Sequence, residues 1–144
     1  MKGPFQPISI FMFEWDNTNN VGLSSIDGQH QNLFAIAREL HSAMLAGQAK
    51  SVMVKILDRL VQYTDVHFTH EERLMREHGY PGFSQHKAEH DALRQSVLQF
   101  QRDFAAGKVS VSVNVLHFVR DWLDHHIKSS DAAYAPFLKA HKVA

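Results

Sequence analysis

Histidine and carboxylate residues recur along this chain at a spacing that suits one face of a helix. His67 and Glu71 are four positions apart, and so are His86 and His90. Residues at this spacing lie on the same side of an α-helix, about 6 Å apart along its axis. Imidazoles and carboxylates are common ligands of divalent metal ions. The spacing therefore predicts that these side chains bind metal.

The composition restricts which ligands a metal site could use. The chain of 144 residues contains 11 histidines and no cysteine. The lack of cysteine excludes disulfides, thiolate nucleophiles, iron–sulfur clusters and cysteine-ligated zinc sites. Lys+Arg and Asp+Glu number 15 each, so the formal net charge is zero. This balance gives no electrostatic basis for binding nucleic acid or an anionic membrane.

The length and hydrophobicity predict a single domain over residues 1–144 with a buried core. Hydrophobic residues make up 44% of the chain, which is typical of globular proteins. No run approaches the roughly 20 apolar residues of a membrane helix. The apolar stretch Ile8–Phe13 is too short for a secretory signal. We expect a cytoplasmic protein with neither a membrane nor a nucleic-acid partner.

Apolar residues recur with helical periodicity in four segments, separated by short breaks. The first segment starts near Ser24 or Ser25 and ends before Gly47, and the second runs from about Ser51 to His78. The third runs from about Ser84 to Ala106, and the fourth ends at about Lys128. This pattern predicts an all-α protein, an antiparallel up-down-up-down four-helix bundle. Residues 1–23 would form an extended N-terminal arm, residues 24–128 the bundle, and residues 129–144 a segment with a short C-terminal helix.

One stretch has a competing interpretation. Val109–Val115 alternates apolar and polar residues, which is a strand pattern, and Ile8–Phe13 could pair with it. A two-stranded sheet beside four helices is only marginally stable. We therefore expect the later half of the stretch to begin the fourth helix, with Ser110, Ser112 or Asn114 as its N-cap.

The helical stripes place a polar residue on the apolar face of every helix. His30 lies on the first stripe, His67 and Glu71 on the second, His86 and His90 on the third, and His126 on the fourth, with Asp131 following it. In an antiparallel bundle these positions all fall at one end. Without a metal, each unpaired polar group buried there would cost about 1–3 kcal/mol. The pattern therefore predicts a buried metal site.

The six other histidines fall outside this set. His41 is on the face of His30 but eleven residues away, about 16 Å along the helix, so we expect it in the core or at its rim. The remaining five are expected to be solvated: His70, His78, His117, His125 and His141.

Four fragments together resemble the hemerythrin family, specifically its single-domain bacterial members. They are Asp27-Gly28-Gln29-His30, His67-Phe68-Thr69-His70-Glu71-Glu72, His86-Lys87-Ala88-Glu89-His90, and Trp122-Leu123-Asp124-His125-His126-Ile127 followed by Asp131. Each fragment alone is weak, but all four in order are specific. The resemblance extends from about Trp15 to Tyr134.

The resemblance implies a non-haem di-iron centre with an oxo or hydroxo bridge and five histidine and two carboxylate ligands. Carried over by position, the ligands are His30, His67, Glu71, His86, His90, His126 and Asp131. His86, His90 and His126 would bind one iron, and His30 and His67 the other. The two carboxylates would bridge the irons. This count leaves one coordination position open for dioxygen.

The function implied by the resemblance is reversible dioxygen binding for storage, transport or sensing, without enzymatic activity. Dioxygen would then be the main partner, and an oxygen-consuming protein would receive the dioxygen. The chain would be a monomer. Leu33, Phe68, Trp122 and Ile127 would form an apolar oxygen pocket. Tyr134 would hydrogen-bond to a ligand group. Ordinary core packing is the alternative role for these five residues.

The same residues are compatible with other functions. The same di-iron site could reduce peroxide or nitric oxide, or store iron. His86-x-x-Glu89-His90 also matches a zinc-peptidase signature. That chemistry normally needs a downstream glutamate as third ligand, and no glutamate follows Glu89. The peptidase hypothesis is therefore disfavoured.

Overall fold

The computed structural model of the chain describes Phe13, Trp15 and residues 17–143, and its regular structure there is helical. The five α-helices are α1 (Ser24–Leu45), α2 (Lys50–Glu77), α3 (Phe83–Ala105), α4 (Val113–His126) and α5 (Ala132–Ala140). A short 3-10 turn, Asn17–Asn19, precedes α1, and a π-helical segment, Ile127–Asp131, joins α4 to α5. The predicted all-α four-helix bundle with a short C-terminal helix is confirmed.

The apolar stripes of the helices form one core. In α1 the buried positions Leu33, Phe34, Ala37 and Leu40 follow the spacing of a single helical face. They pack with apolar residues of α2, α4 and α5 and with Phe104 of α3. No helix in the described part of the chain combines the length and apolar character needed to cross a bilayer.

The start of α1 is stabilised by an aspartate rather than by a serine N-cap. The helix begins at Ser24 as predicted, but neither Ser24 nor Ser25 caps it. Instead, the carboxylate of Asp27 in the first turn accepts hydrogen bonds from the backbone N–H groups of Val21, at 2.8 Å, and Gly22, at 3.0 Å. Gly22 has a φ of 89°, a conformation that glycine adopts without steric cost. The side chain that organises this turn is therefore an aspartate inside the helix.

The stretch Val109–Val115 leads into α4, as expected. The helix begins at Val113, and the Ser112 hydroxyl accepts a hydrogen bond from the backbone N–H of Val115 at 3.3 Å. Residues 8–12 of the alternative strand partner lie outside the described residues, as does most of the predicted N-terminal arm. The division into arm, bundle and C-terminal segment thus stays a prediction.

The segment after α4 departs from the expected α-helix. Ile127–Asp131 is π-helical, and the backbone N–H of Ala132 bonds to the carbonyl of Ile127, five residues earlier. In an α-helix, Asp131 would lie about 140° around the axis from His126. The wider π turn brings residues five apart onto the same face. It therefore directs Asp131 toward the face that carries His126.

We predict that Asp27→Ala lowers the free energy of unfolding of the metal-free protein by about 1 kcal/mol, because two backbone N–H groups lose their acceptor. Urea denaturation measures this change. Asp121→Ala is the matched control, since Asp121 is exposed and contacts its neighbour Arg120, and its expected effect is within about 0.5 kcal/mol. Equal stabilities of the two variants would contradict the role of Asp27.

Candidate metal centre

Seven histidine and carboxylate side chains converge inside one end of the bundle. They form two groups, within each of which the ligand-forming atoms all lie within 4.8 Å of one another. The first group is His86, His90, His126 and Asp131, and the second is His30, His67, Glu71 and Asp131. Every one of these residues is at most 5% exposed. The structure thus brings together all seven residues that the sequence singled out.

Asp131 belongs to both groups and lies between them. Its Oδ1 atom is 3.0 Å from His86 Nε2 and 3.1 Å from His126 Nε2. Its Oδ2 atom is 3.0 Å from His30 Nε2. Burial opposes the charge on this carboxyl, but the close contacts with His126, His30 and His86 hold its pKa well below the usual range. Asp131 is therefore an ionised carboxylate with one oxygen facing each group.

Glu71 is the second carboxylate that reaches both groups. Its Oε1 atom is 2.6 Å from His67 Nε2 and 3.8 Å from His90 Nε2. Its Oε2 atom is 4.0 Å from His86 Nε2 and accepts a hydrogen bond from the Tyr134 hydroxyl. Burial, followed by the charges of Glu71 and Asp131, raises the pKa of Tyr134. Tyr134 therefore keeps its proton and donates a hydrogen bond to Glu71.

The protonation of the imidazoles suits metal binding. Burial, and then the neighbouring His86 and His126, lower the pKa of His90 far below its usual value. A neutral imidazole is the form that binds a cation. For His126, burial also opposes the charge, but its hydrogen bond and charge interaction with Asp131 outweigh it and raise the pKa. A metal ion at this position would replace the proton beside Asp131.

The hydrogen bonding of the buried polar atoms indicates whether the site suits metal ions. Five buried atoms make close contacts with one another or with His67 but form no hydrogen bond of good geometry among the described residues: His30 Nε2, Glu71 Oε1, His86 Nε2 and both carboxylate oxygens of Asp131. Each such atom would cost about 1–3 kcal/mol if left unpaired. All of them point toward the two groups, and all are nitrogen or oxygen donors of the kind that iron and zinc accept. The residues present therefore fit bound metal.

The outer nitrogens of three imidazoles contact side chains that the sequence analysis did not assign. The three pairs are His67 Nδ1 with Gln29 Oε1 at 2.6 Å, His90 Nδ1 with Glu72 Oε2 at 2.8 Å, and His126 Nδ1 with Glu89 Oε2 at 3.3 Å. Each outer partner is adjacent in sequence to a ligand-forming residue of its own helix. It is thus about 100° away from the apolar stripe, which is why a search along that stripe misses it. Adjacency to a predicted ligand is the signal that could have found it.

Aromatic rings cover the imidazoles of the first group. The ring of Phe68 is stacked on His90, with centroids 3.8 Å apart and planes 1° apart. Trp122 is stacked on His126 with centroids 4.5 Å apart. Ile127 is 1% exposed. The two stacking contacts hold the ring planes of His90 and His126.

An apolar cavity of about 390 Å³ lies between the four long helices. Each helix contributes a residue three positions from a ligand-forming histidine: Leu33, Thr64, Leu93 and Leu123. Of the four expected oxygen-pocket residues, Leu33 and Trp122 line the cavity, while Phe68 and Ile127 are not part of its lining. The cavity therefore extends to within one helical turn of the metal ligands.

The remaining histidines lie outside the cluster. His41 is buried in the core, with its ring 6.2 Å from that of Phe13. His125 and His141 are exposed as expected. His70, His78 and His117 are half-buried rather than fully solvated, because they border interfaces with neighbouring segments.

Comparison with known proteins agrees with this site. Residues 21–138 match the model of the hemerythrin HHE cation binding domain. A bacteriohemerythrin of Methylococcus capsulatus is 40% identical over 84% of this chain and 90% of its own length. One of Stenotrophomonas maltophilia is 35% identical over 88% of this chain and 82% of its own length.

A solved structure of wild-type hemerythrin has the same fold. It superposes with a TM-score of 0.79 at 38% identity, covering 86% of this chain and 95% of that one. Residues 21–138, which match the family model, include all seven ligand-forming residues. The chain therefore belongs to the hemerythrin family.

Proposed function

We propose that this protein binds dioxygen reversibly at a pair of non-haem iron ions. The observation that carries the proposal is the pair of four-residue groups that share Asp131. His86, His90 and His126 would hold one iron, and His30 and His67 the other. Glu71 and Asp131 would contribute ligand atoms to both.

The unequal number of imidazoles supports binding of a small external ligand. Three histidines serve the first position and two serve the second, while the carboxylates reach both groups. The second position therefore has one protein ligand fewer. A free coordination position is what distinguishes a reactive metal site from a structural one.

The surrounding residues suit an uncharged ligand. When bound, the iron pair would supply two electrons to dioxygen and recover them on its release. Phe68, Trp122, Leu33 and Ile127 keep water from the site, and an apolar environment disfavours loss of the ligand as an anion. Tyr134 holds Glu71 in place through its hydrogen bond.

The 390 Å³ cavity supports a route for gas through the protein interior. Its lining is mainly aliphatic and aromatic, and none of the described residues that line it is charged. Dioxygen is apolar and enters such a space readily, whereas ions do not. Leu33 and Trp122 lie where this cavity meets the metal end, so we infer that they shape the approach of dioxygen.

The proposed role is binding rather than catalytic turnover. Reduction of peroxide or nitric oxide would need a proton donor beside the open position. Tyr134 has a raised pKa and donates its hydrogen bond to Glu71, so it is a poor source of protons. The proposal includes a cytoplasmic monomer that delivers dioxygen to an oxygen-consuming protein.

Anaerobic reduction of the iron-loaded protein followed by exposure to air tests this function. We expect a colourless reduced form that gains a visible absorption band in air and loses it under vacuum. Peroxide turnover with a reductant, faster than with free iron, would instead favour the enzyme hypothesis. A single zinc ion per chain and no spectral change would contradict the proposal.

Replacing one ligand tests the assignment of the metal position. We predict that His126→Ala weakens metal binding there by more than about 100-fold, since even loss of an outer partner costs up to that much. Metal content after gel filtration measures the loss. His125→Ala is the matched control, because this neighbouring histidine is exposed and its loss should leave the metal content unchanged. Equal metal contents would contradict the assignment.

Shortening a wall residue tests the apolar pocket. We predict that Leu33→Ala and Ile127→Ala speed autoxidation several-fold, because the space that opens admits water. The loss of a buried large side chain costs about 2–5 kcal/mol, so folding is checked by circular dichroism. Leu45→Ala is the control, since Leu45 is 46% exposed and far along α1 from His30. An autoxidation rate unchanged from that of the control would contradict the role of the pocket.

A further inference from the structure

The two metal positions differ in the charge that faces the outer nitrogens of their imidazoles. At the three-histidine position, His90 Nδ1 contacts the carboxylate of Glu72 at 2.8 Å, and His126 Nδ1 contacts that of Glu89 at 3.3 Å. Two of its three imidazoles thus contact an anionic group.

Among the described residues, no carboxylate contacts the outer nitrogens of the imidazoles at the two-histidine position. His67 Nδ1 contacts the amide oxygen of Gln29 at 2.6 Å. His30 Nδ1 is buried and has no hydrogen-bond partner in the part of the chain that the structure describes. The asymmetry between the positions is therefore one of charge as well as of ligand number.

Glu72 is fixed by its other contacts. The residue is 8% exposed. Its carboxylate accepts hydrogen bonds from Arg94 Nη1 at 2.8 Å and Arg94 Nη2 at 3.3 Å. Arg94 is in turn held by Asp65 and Asp91, each at 2.9 Å. Its guanidinium also lies 5.3 Å from the centroid of the Phe68 ring. This network holds the Glu72 carboxylate against His90.

Glu89 is less constrained and more accessible to water. Its Oε2 atom accepts a hydrogen bond from the Ser130 hydroxyl at 2.6 Å, but its side chain is 38% exposed. Solvent screens an exposed charge more than a buried one. Glu72 should therefore have the larger influence.

An imidazole whose outer N–H is held by a carboxylate is oriented by it and donates more electron density to its metal. Greater donation stabilises the more oxidised metal, and a neutral amide provides less of it. We propose that Glu72, held by Arg94, is a positioning residue that makes the three-histidine position the more readily oxidised of the two, with Glu89 assisting. This inference depends on the proposed di-iron function.

Redox titration with mediators, followed by visible absorption, compares the midpoint potential of the iron-loaded variants. Glu72→Gln keeps the shape of the side chain and removes its charge, so the midpoint potential should rise. Arg94→Gln removes the cation that draws charge away from Glu72, so the midpoint potential should fall. If Glu72 only tied α2 to α3 through Arg94, both substitutions would break the same ion pair and would not shift the potential in opposite directions.

Asp65→Asn is the matched control, since it also removes a carboxylate that contacts Arg94 at 2.9 Å. Asp65 makes no hydrogen bond to a ligand imidazole among the described residues, so its substitution should have a much smaller effect. Gln29→Glu is the reciprocal variant, because it places a carboxylate beside His67 and should lower the midpoint potential. It also carries the test if Glu72→Gln fails to fold.

Zinc binding supplies a readout that needs no redox activity. In chelator competition, Glu72→Gln should bind zinc at the affected position about 10- to 100-fold more weakly than the unmodified protein, while Asp65→Asn should bind it equally well. An unmodified protein that takes up no iron would overturn the proposed function. Normal iron content with potentials unchanged in both Glu72→Gln and Gln29→Glu would overturn this inference alone.

Discussion

The burial of an ionised carboxylate among imidazoles from different helices is the constraint on which the structure depends. Asp131 lies at the joint between α4 and α5 and contacts His30 of α1, His86 of α3 and His126 of α4. A buried charge without partners would cost several kcal/mol. The three helices must therefore meet at this end of the bundle in a register that keeps these contacts. The π-helical segment provides the local rotation that places Asp131 there.

The metal end and the rest of the bundle stabilise the protein in different ways. The apolar stripes of α1 and α2 bury aliphatic and aromatic side chains and account for much of the favourable free energy of folding. Among the described residues, the metal end has buried polar atoms without a hydrogen bond, which bound cations would satisfy. The neighbouring 390 Å³ cavity lacks packing contacts that a filled core would have.

Much of the site could be predicted because the helical period determines which residues of a helix share one face. The four-residue spacing of His67 and Glu71, and of His86 and His90, places each pair on one face, and short connections imply antiparallel neighbours. Together with the apolar stripes, these two facts bring six of the ligand-forming residues to one end, whereas the placement of Asp131 depends on the π turn. The resemblance to a known family then indicates which metal they hold, which the spacing alone does not.

Other features depend on geometry that periodicity does not describe. The π turn spans Ile127–Asp131. The composition of its central residues, Lys128-Ser129-Ser130, favours no particular helix type, and a strict α-helical register would direct Asp131 away from His126. At the start of α1, two serines suggest a cap, yet Asp27 reaches back to the preceding turn because its backbone already lies in the helix. The size of the cavity depends on how far apart the packed helices stand, which no local pattern determines.

The outer contacts of the imidazoles link the helices in chain order. A side chain of α1 supports a histidine of α2, one of α2 supports a histidine of α3, and one of α3 supports a histidine of α4: Gln29 with His67, Glu72 with His90, and Glu89 with His126.

Each supporting residue is adjacent to a ligand-forming residue of its own helix, so a rotation that displaced the ligands would also displace their supports. The first link is an amide and the other two are carboxylates. The fold gives the three-histidine position two of these links and the two-histidine position one, and the amide of Gln29 leaves that one link uncharged. The number of links and this amide therefore both contribute to the charge difference between the two metal positions.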